Sequence, residues 1–227
     1  MQVESNQSHW IPLADLMTGL MMIFLLLTAA FMLRVEQTTT LVVKEFEVTK
    51  TNLQEELQGE FSKDLNRWNA EFLGDMTIVF KDPDVLFATG ESRLSPKYKE
   101  VLQDFFPRYI RLLTNEKFNA VVKEVRIEGH TSAFWSSTTS PKTAYFKNMD
   151  LSQARTRSTL EFLLSMPELE ANEKWIIKKV TANGLSSSQA DPKDPDSKGN
   201  QRVEFKIITT SDERLGKVAE QLIGSKR

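Results

Sequence analysis

Near the amino end, an unbroken apolar stretch separates a short polar segment from the alternating patterns of the remaining chain. Residues 10–33 read WIPLADLMTGLMMIFLLLTAAFML, and no charged residue occurs between Leu16 and Leu33. As a helix, this stretch is about 35 Å long, enough to cross a hydrocarbon core of about 30 Å. We therefore predict a transmembrane helix over residues 10–34, preceded by a short amino-terminal segment, 1–9.

Two other interpretations of this stretch fit less well. A signal peptide needs a basic amino-terminal region, but residues 1–9 carry Glu4 as their one charge, and no clear A-x-A cleavage site follows. A buried core helix is usually shorter and less uniformly apolar.

One carboxylate, Asp15, stands near the start of this predicted helix. An acid within a membrane span is costly and therefore suggests a functional site. The alternative is structural: Pro12 suits the first turn of a helix, where the helix dipole favours an acid without any function. Thr18 and Gly19 share the helix face of Asp15, and such small or polar residues favour packing against other membrane helices. We therefore expect Asp15 to face protein.

From residue 35 to residue 75, apolar residues recur every three or four positions, which predicts one long amphipathic helix as a linker. The β-branched run 38–43 is a candidate interruption. This helix has three possible roles: it pairs with a second copy, packs on the following domain, or acts as a plug beside the membrane. We favour a dimer-forming stalk. The apolar positions are Phe46, Leu53, Leu57, Phe61, Leu65, Trp68 and Phe72.

Between residues 76 and 211, predicted strands and helices alternate, and a tail or helix follows over 212–227. Ser95-Pro96 opens one helix, Asp150 leads into another, and a terminal helix covers 213–223. The segment 186–200, rich in Ser, Asp, Pro and Lys, is predicted to be a loop. Strands are predicted at 77–80, 85–87, 123–129, 175–185 and 203–207. The fold class is therefore α+β: a transmembrane helix, a helical linker and an α/β sandwich with a mixed sheet.

Composition argues against most enzyme classes. The 227 residues carry a formal net charge of −2, contain no cysteine and include two histidines. Disulfides and thiolate metal sites are thereby excluded, little material remains for a zinc site or a catalytic triad, and no Gly-rich phosphate loop occurs. The chain has no strongly basic stretch that would favour the binding of nucleic acid. We predict no enzyme activity, no catalytic residue, no metal site and no cofactor.

The residues around Asp15 carry a family resemblance. Trp10, the run ADLMT at 14–18 and the Met-rich GLMM at 19–22 resemble the transmembrane signature of the MotB family of ion-driven motor subunits, and more closely its ZorB branch from Zorya anti-phage defence systems. The resemblance implies that Asp15 carries the translocated ion. Thr18 offers the one obvious extra oxygen on that face, so a proton is favoured over sodium. The resemblance further implies that the chain forms a homodimer inside a ring of multi-span MotA/ZorA-like subunits.

A second resemblance covers residues 76–210 and is to the OmpA-like peptidoglycan-binding domain. It rests on FATGESRL at 87–94, IEGHT at 127–131, Asn148, the Leu-Ser pair at 151–152 with Arg155, and NG at 183–184 followed by NQRVE at 200–204. The resemblance implies that Arg155 grips a carboxylate of the peptidoglycan stem peptide, and that Asn148 and Leu151 complete the pocket.

One position departs from the OmpA-like pattern. Where the family usually has Asp after Gly-His-Thr, to pair with the diaminopimelate ammonium group, this chain has Ser132. A long insertion with Phe134, Trp135 and Tyr145 follows. Binding of the usual stem peptide therefore needs another acid or the aromatic loop to compensate. We expect His130 to anchor its turn by hydrogen bonding.

Charge and resemblance disagree about topology. Arg34 and Lys44 follow the span, which weakly favours a cytoplasmic carboxyl side. The resemblance implies the reverse: a single-pass protein of the bacterial inner membrane, with residues 1–9 in the cytoplasm and the carboxy-terminal domain in the periplasm. We follow the resemblance, because a bias of one or two charges is small. The prediction is a motor subunit of Zorya defence; a flagellar stator subunit and a passive cell-wall anchor are the alternatives.

Overall fold

A computed structural model of the chain describes residues 10–81, 83–88 and 90–210. The predicted amino-terminal segment 1–9 and the terminal helix at 213–223 lie outside the described residues. Contacts divide the chain into two compact units, with the boundary between Glu47 and Val48.

The first element is a single α-helix, α1, Trp10–Phe61. It confirms the predicted helix over 10–34, and the segment Leu13–Arg34 is long and apolar enough to cross a membrane. The expected interruption at 38–43 is wrong, since the helix continues through it. β-Branched residues lower helix propensity by less than about 1 kcal/mol each, which does not break a helix stabilised on both sides.

At its carboxyl end, α1 is shorter than the predicted helix to residue 75. Turns occupy 62–69, and Asn69 adopts a left-handed conformation with φ of 51°. Arg108, from a later helix, donates through Nη2 to the Glu60 carbonyl at 2.9 Å and through Nη1 to Asp64 Oδ2 at 2.8 Å. A guanidinium group thus satisfies a carbonyl that the ending helix leaves without a partner.

The last turns of α1 belong to the core of the carboxy-terminal unit. Leu53, Leu57 and Phe61 are fully buried there, as is most of Trp68. Of the three roles considered for the linker helix, packing on the following domain is therefore the observed one for this part of α1. These three side chains are not available to a dimer-forming stalk.

A five-stranded mixed sheet has the order β1-β2-β5-β3-β4. The β2–β5 and β5–β3 pairs are antiparallel, as is β1–β2, while β3 and β4 run parallel. The strand β1 was not predicted. The strands are β1 (Ala70–Phe72), β2 (Thr77–Phe80), β3 (Val122–His130), β4 (Val180–Gly184) and β5 (Arg202–Thr209).

The two long helices of this unit begin at serine N-caps followed by proline. Ser95 accepts a hydrogen bond from the Tyr98 backbone N–H, and Ser140 accepts one from Thr143 N–H. The helices are α2 (Pro83–Leu86), α3 (Pro96–Leu113), α4 (Glu116–Asn119), α5 (Pro141–Leu164) and α6 (Glu173–Lys179), with 3-10 turns at Pro167–Asn172 and Lys198–Asn200.

One predicted strand and two predicted boundaries are wrong. The segment 85–87 is not a strand, because Pro83–Leu86 forms a helical turn and Phe87 makes an isolated bridge to Leu94. The helix expected at Asp150 begins nine residues earlier, at Pro141. Residues 175–179 lie in α6, so the fourth strand begins at Val180. The mixed sheet and the α+β class are confirmed.

An aromatic core joins the sheet to α1 and α3. Phe105 of α3 lies at its centre, with ring-centroid distances of 5.2 Å to Phe61, 5.2 Å to Phe80 and 5.1 Å to Phe205. Because these rings come from α1, β2 and β5, this cluster holds the helices on one face of the sheet.

Candidate functional site

Asp15 and Thr18 lie on the membrane-length segment of α1. The Thr18 hydroxyl donates to the helix backbone, with the Ala14 carbonyl at 3.0 Å and the Asp15 carbonyl at 2.8 Å. Its oxygen lone pairs are therefore what Thr18 can offer to an ion or a protonated acid. None of the segment Leu13–Arg34 is buried by the described chain itself.

The three residues predicted to bind peptidoglycan lie together around one cavity of about 350 Å³. Asn148, Leu151 and Arg155 come from α5 at positions i, i+3 and i+7, which share a helix face. Ser132, the departure from the OmpA-like pattern, is also at this cavity. The remaining lining residues are Phe87, Gly90, Thr131, Phe134, Trp135, Asp196, Lys198 and Gln201.

Close packing against the sheet fixes the position of α5. A Cβ added at Gly184 of β4 would lie 2.4 Å from Gln153 N, and one at Gly129 of β3 would lie 2.8 Å from the Ser152 carbonyl oxygen. Glycine at both positions allows the strand and helix backbones to touch. Gln153 then bonds β4 twice, accepting from Gly184 N–H at 2.7 Å and donating to the Ala182 carbonyl at 3.0 Å.

Arg155 is held at the cavity by the segment around Phe87. Its Nε donates to the Glu91 carbonyl at 2.9 Å, and its guanidinium carbon lies 4.9 Å from the centre of the Phe87 ring. The residue is 5% exposed, whereas Asp150, the acid considered as an alternative partner, lies on an exposed part of the helix. Five residues apart, the two point about 140° away from each other around the helix axis. The planar cation is thus preoriented for an anionic ligand.

Asn148 organises the loop between β3 and α5. Its Nδ2 donates to the Ser132 carbonyl at 3.0 Å and to the Phe134 carbonyl at 3.4 Å. The predicted pocket residue therefore also supports the wall of the pocket. Ser132 Oγ lies 3.5 Å from Gln201 Nε2, and the side chain is buried.

The 186–200 loop supplies two cavity residues that sequence reasoning missed, Asp196 and Lys198, and Gln201 follows directly after it. Asn200 folds this loop: its Oδ1 accepts from Asp191 N–H at 2.8 Å, and its Nδ2 donates to the Asp194 carbonyl at 2.8 Å. The Ala133 N–H donates to the Pro195 carbonyl at 2.8 Å and joins the two loops. Asp196 is thereby brought to the cavity that Ser132 also lines.

His130 does not anchor its turn as expected. It is 3% exposed, and neither ring nitrogen has a hydrogen-bond partner among the described residues. Its Nε2 lies 3.5 Å from Glu204 Oε1 and 4.0 Å from Glu128 Oε2. Burial, with the positive charges of Arg202 and Lys206, lowers the pKa of His130 to about 3.

The buried group Glu128, His130 and Glu204 has the residue types of a metal site, and its side chains lie within 4.8 Å of one another. Each of the two acids already interacts with a positively charged side chain, however. Arg202 Nε donates to Glu204 Oε1 at 2.6 Å, and the charge of Lys206 acts on Glu128. Burial and the positive charges of Arg202 and Lys206, which keep His130 neutral, also oppose a divalent ion, so we interpret this cluster as structural.

Comparisons with known proteins agree with this architecture. The OmpA family model matches residues 86–204. The Zorya protein ZorB of Escherichia coli is 38% identical over 230 residues, covering 96% of this chain and 95% of that protein. A crystal structure of a MotB-like protein from Desulfovibrio vulgaris has a TM-score of 0.52 at 22% identity, covering 73% of this chain and 94% of that one; it supports the fold alone.

A sheet-and-helix domain attached to a helix of membrane-spanning length defines the class of architecture. Within that class, the chain belongs to the OmpA family and is a MotB/ZorB-like protein with an OmpA-like domain. The resemblances seen in the Asp15 run and in the 127–131 and 200–204 motifs are thereby confirmed at the level of the family. The roles of Asp15, Thr18, Asn148, Leu151 and Arg155 stay predictions.

Proposed function

We propose that this chain is the B subunit of a proton-driven motor of the bacterial inner membrane, acting in Zorya anti-phage defence. Two copies span the membrane inside a ring of multi-span MotA/ZorA-like subunits, and their OmpA-like domains bind peptidoglycan in the periplasm. The observation that carries this proposal is similarity to the Zorya protein ZorB over 96% of the chain, which includes both the apolar helix and the domain. The chain has no catalytic role in this proposal.

Asp15 is the proposed proton carrier. None of the Leu13–Arg34 segment is buried by the described chain. In this proposal, partner helices therefore shield the ionised Asp15 from lipid. Protonation removes both the desolvation cost of Asp15 and its attraction to cationic or hydrogen-bonding partner groups, so one helix contact is released and the ring steps. One charge crossing 100 mV supplies about 2.3 kcal/mol for this step.

Thr18 has a supporting role in this mechanism. Because its hydroxyl hydrogen is donated to the backbone, its oxygen can accept a hydrogen bond from protonated Asp15 but offers no donor to the carboxylate. We therefore propose that Thr18 assists ion translocation as an oxygen acceptor on the same helix face as Asp15.

The test of the motor is Asp15→Asn, which keeps the size of the side chain and removes its titration. Proton flux through the assembled complex and protection against phage should both be lost, whereas Asp15→Glu should retain part of each. Flux and protection that survive in Asp15→Asn would refute the mechanism.

Arg155, Asn148 and Leu151 are the proposed peptidoglycan contacts. In sedimentation with purified cell-wall sacculi, Arg155→Lys should weaken binding about tenfold or more, because a bidentate charged contact is lost while the charge is kept. Arg157→Lys is the matched control, since Arg157 lies on the same helix with 75% of its side chain exposed and pairs with Glu161 at 2.8 Å. Equal binding by both variants and the unmodified chain would refute this assignment.

A passive cell-wall anchor is the alternative from another class, in which Asp15 only stabilises the start of a helix. Purification in mild detergent separates the two: a motor subunit brings a multi-span partner with it, and an anchor is purified alone. If the chain is instead a flagellar stator subunit, it should restore motility to cells that lack their own stator B subunit and leave their phage sensitivity unchanged.

A further inference from the structure

Two partly exposed aromatic side chains line the cavity, and none of the ligand contacts proposed above uses them. Phe134 is 53% exposed and Trp135 is 37% exposed, and both line the cavity that Asn148 and Arg155 also line. A ligand in this cavity can therefore contact both rings. Together they make an apolar wall, which we call the aromatic wall, beside a polar interior.

Hydrogen bonds to two other segments hold the backbone that carries the aromatic wall. The backbone beneath it is bonded on both sides, through the Asn148 side chain to the Phe134 carbonyl and through Ala133 N–H to the Pro195 carbonyl. Lys147 Nζ lies 5.3 Å from the centre of the Trp135 ring and covers one of its faces. With its backbone held and one face covered by Lys147, Trp135 can present its other face to a ligand at little further cost in conformational entropy.

We propose that the aromatic wall is a saccharide subsite, which binds the sugar to which the stem peptide of peptidoglycan is attached. The inference rests on the proposed function, which supplies the ligand. One face of a pyranose ring presents C–H groups, and these pack on the negative face of an aromatic ring. The stem peptide offers small or charged groups, which Arg155, Asn148 and Asp196 match better than two exposed rings do. The chain therefore recognises a glycopeptide and not a peptide alone.

The experiment compares two ligands, a disaccharide-peptide and the same stem peptide without sugar, each titrated calorimetrically into the full chain in detergent. The unmodified chain should bind the disaccharide-peptide about 3- to 10-fold more tightly, the range expected for one aromatic stacking contact. Trp135→Ala should abolish this difference and leave the affinity for the free peptide unchanged. Trp135→Phe should restore part of it.

Phe146→Ala is the matched control. Phe146 is as exposed as Phe134, at 53%, and lies on the first turns of α5, but it packs on Tyr145 at 5.7 Å and does not line the cavity. This variant should keep the full difference between the ligands.

Several outcomes would overturn the saccharide subsite. Equal affinity of the unmodified chain for both ligands would do so, as would a Trp135→Ala variant that weakens both ligands alike or neither. Failure of the unmodified chain to bind either ligand would refute peptidoglycan binding itself, and the subsite with it. If Arg155→Lys weakens the binding of both ligands and Trp135→Ala weakens neither, peptidoglycan recognition is supported and the saccharide subsite is refuted.

Discussion

His130 shows how burial and charge act against each other at a single residue. Glu204 Oε1, at 3.5 Å, would favour the imidazolium form, but Arg202 donates to that same oxygen at 2.6 Å and reduces its effect. Burial and the positive charges of Arg202 and Lys206 therefore prevail and lower the pKa of His130 to about 3. The imidazole is consequently neutral in the folded protein at any physiological pH.

This shift predicts a pH-dependent stability. The unfolded state binds a proton at His130 below about pH 6.5 and the folded state does not until about pH 3, so His130 makes the protein less stable as the pH falls through this window. The slope from one such group reaches about 1.4 kcal/mol per pH unit. Denaturant unfolding measured at intervals between pH 7 and pH 4 gives this slope.

His130→Gln should flatten that slope, because glutamine does not titrate. Glu128 acts in the opposite direction, since burial and the nearby Glu204 raise its pKa, and it is present in both proteins. The difference between the two curves therefore isolates His130. Parallel curves would contradict the low pKa.

At the scale of elements, the contact between α5 and β4 decides where the ligand-binding residues stand. Gly184→Ala would place a Cβ 2.4 Å from the Gln153 backbone nitrogen, and neither backbone can yield without breaking the bonds that Gln153 makes to β4. We expect a loss of about 1–3 kcal/mol in the free energy of unfolding, as for other overpacked sites. Thermal and denaturant unfolding of the full chain in detergent measures it.

Gly59→Ala is the control for Gly184→Ala. Gly59 lies within α1, and an added Cβ meets nothing within 4 Å. The better helix propensity of alanine should therefore raise stability by up to about 1 kcal/mol. If Gly184→Ala lowers the free energy of unfolding and Gly59→Ala raises it, the effect of packing is separated from that of helix propensity. If both variants raise it, the close contact at Gly184 is contradicted.

Elements with a clear local period could be predicted from the sequence. The alternation in β3 and β5 and the Ser-Pro start of α3 are local signals, and the structure has these elements where they were expected. The end of α1 is not a local property, because it depends on Arg108, 48 residues beyond Glu60. In α6, the apolar run at 175–177 was mistaken for a strand, although Ile176 is buried and Ile177 is 64% exposed on a helix.

The candidate site divides in the same way. The spacing of Asn148, Leu151 and Arg155 places them on one face of α5 whatever the rest of the chain does. Asp196, by contrast, reaches the cavity only because Asn200 folds the 186–200 loop and Pro195 bonds the neighbouring loop. Such contacts between loops leave no periodic pattern in a sequence.

At the scale of the whole molecule, the structure suggests where the independently folding part begins. We propose that it begins at Val48, ahead of the predicted start at residue 76, because contacts divide the chain there. The helix end 48–61 contributes Leu53, Leu57 and Phe61, all fully buried, and Glu60, which binds Arg108 at 2.8 Å. Each of these apolar side chains contributes about 2–5 kcal/mol when it fills a core.

A fragment that starts at Val48 should therefore be soluble and should unfold in one cooperative transition, whereas one that starts at Ser62 should not fold. The missing three side chains cost as much as the whole stability of a typical domain, about 5–15 kcal/mol. Far-UV circular dichroism during heating distinguishes the two fragments. Within the longer fragment, Leu57→Ala should lower the melting temperature, while Glu55→Ala, on the exposed side of the same helix, should leave it nearly unchanged. A Ser62 fragment that melts cooperatively at the temperature of the longer one would show that the helix end is a linker after all.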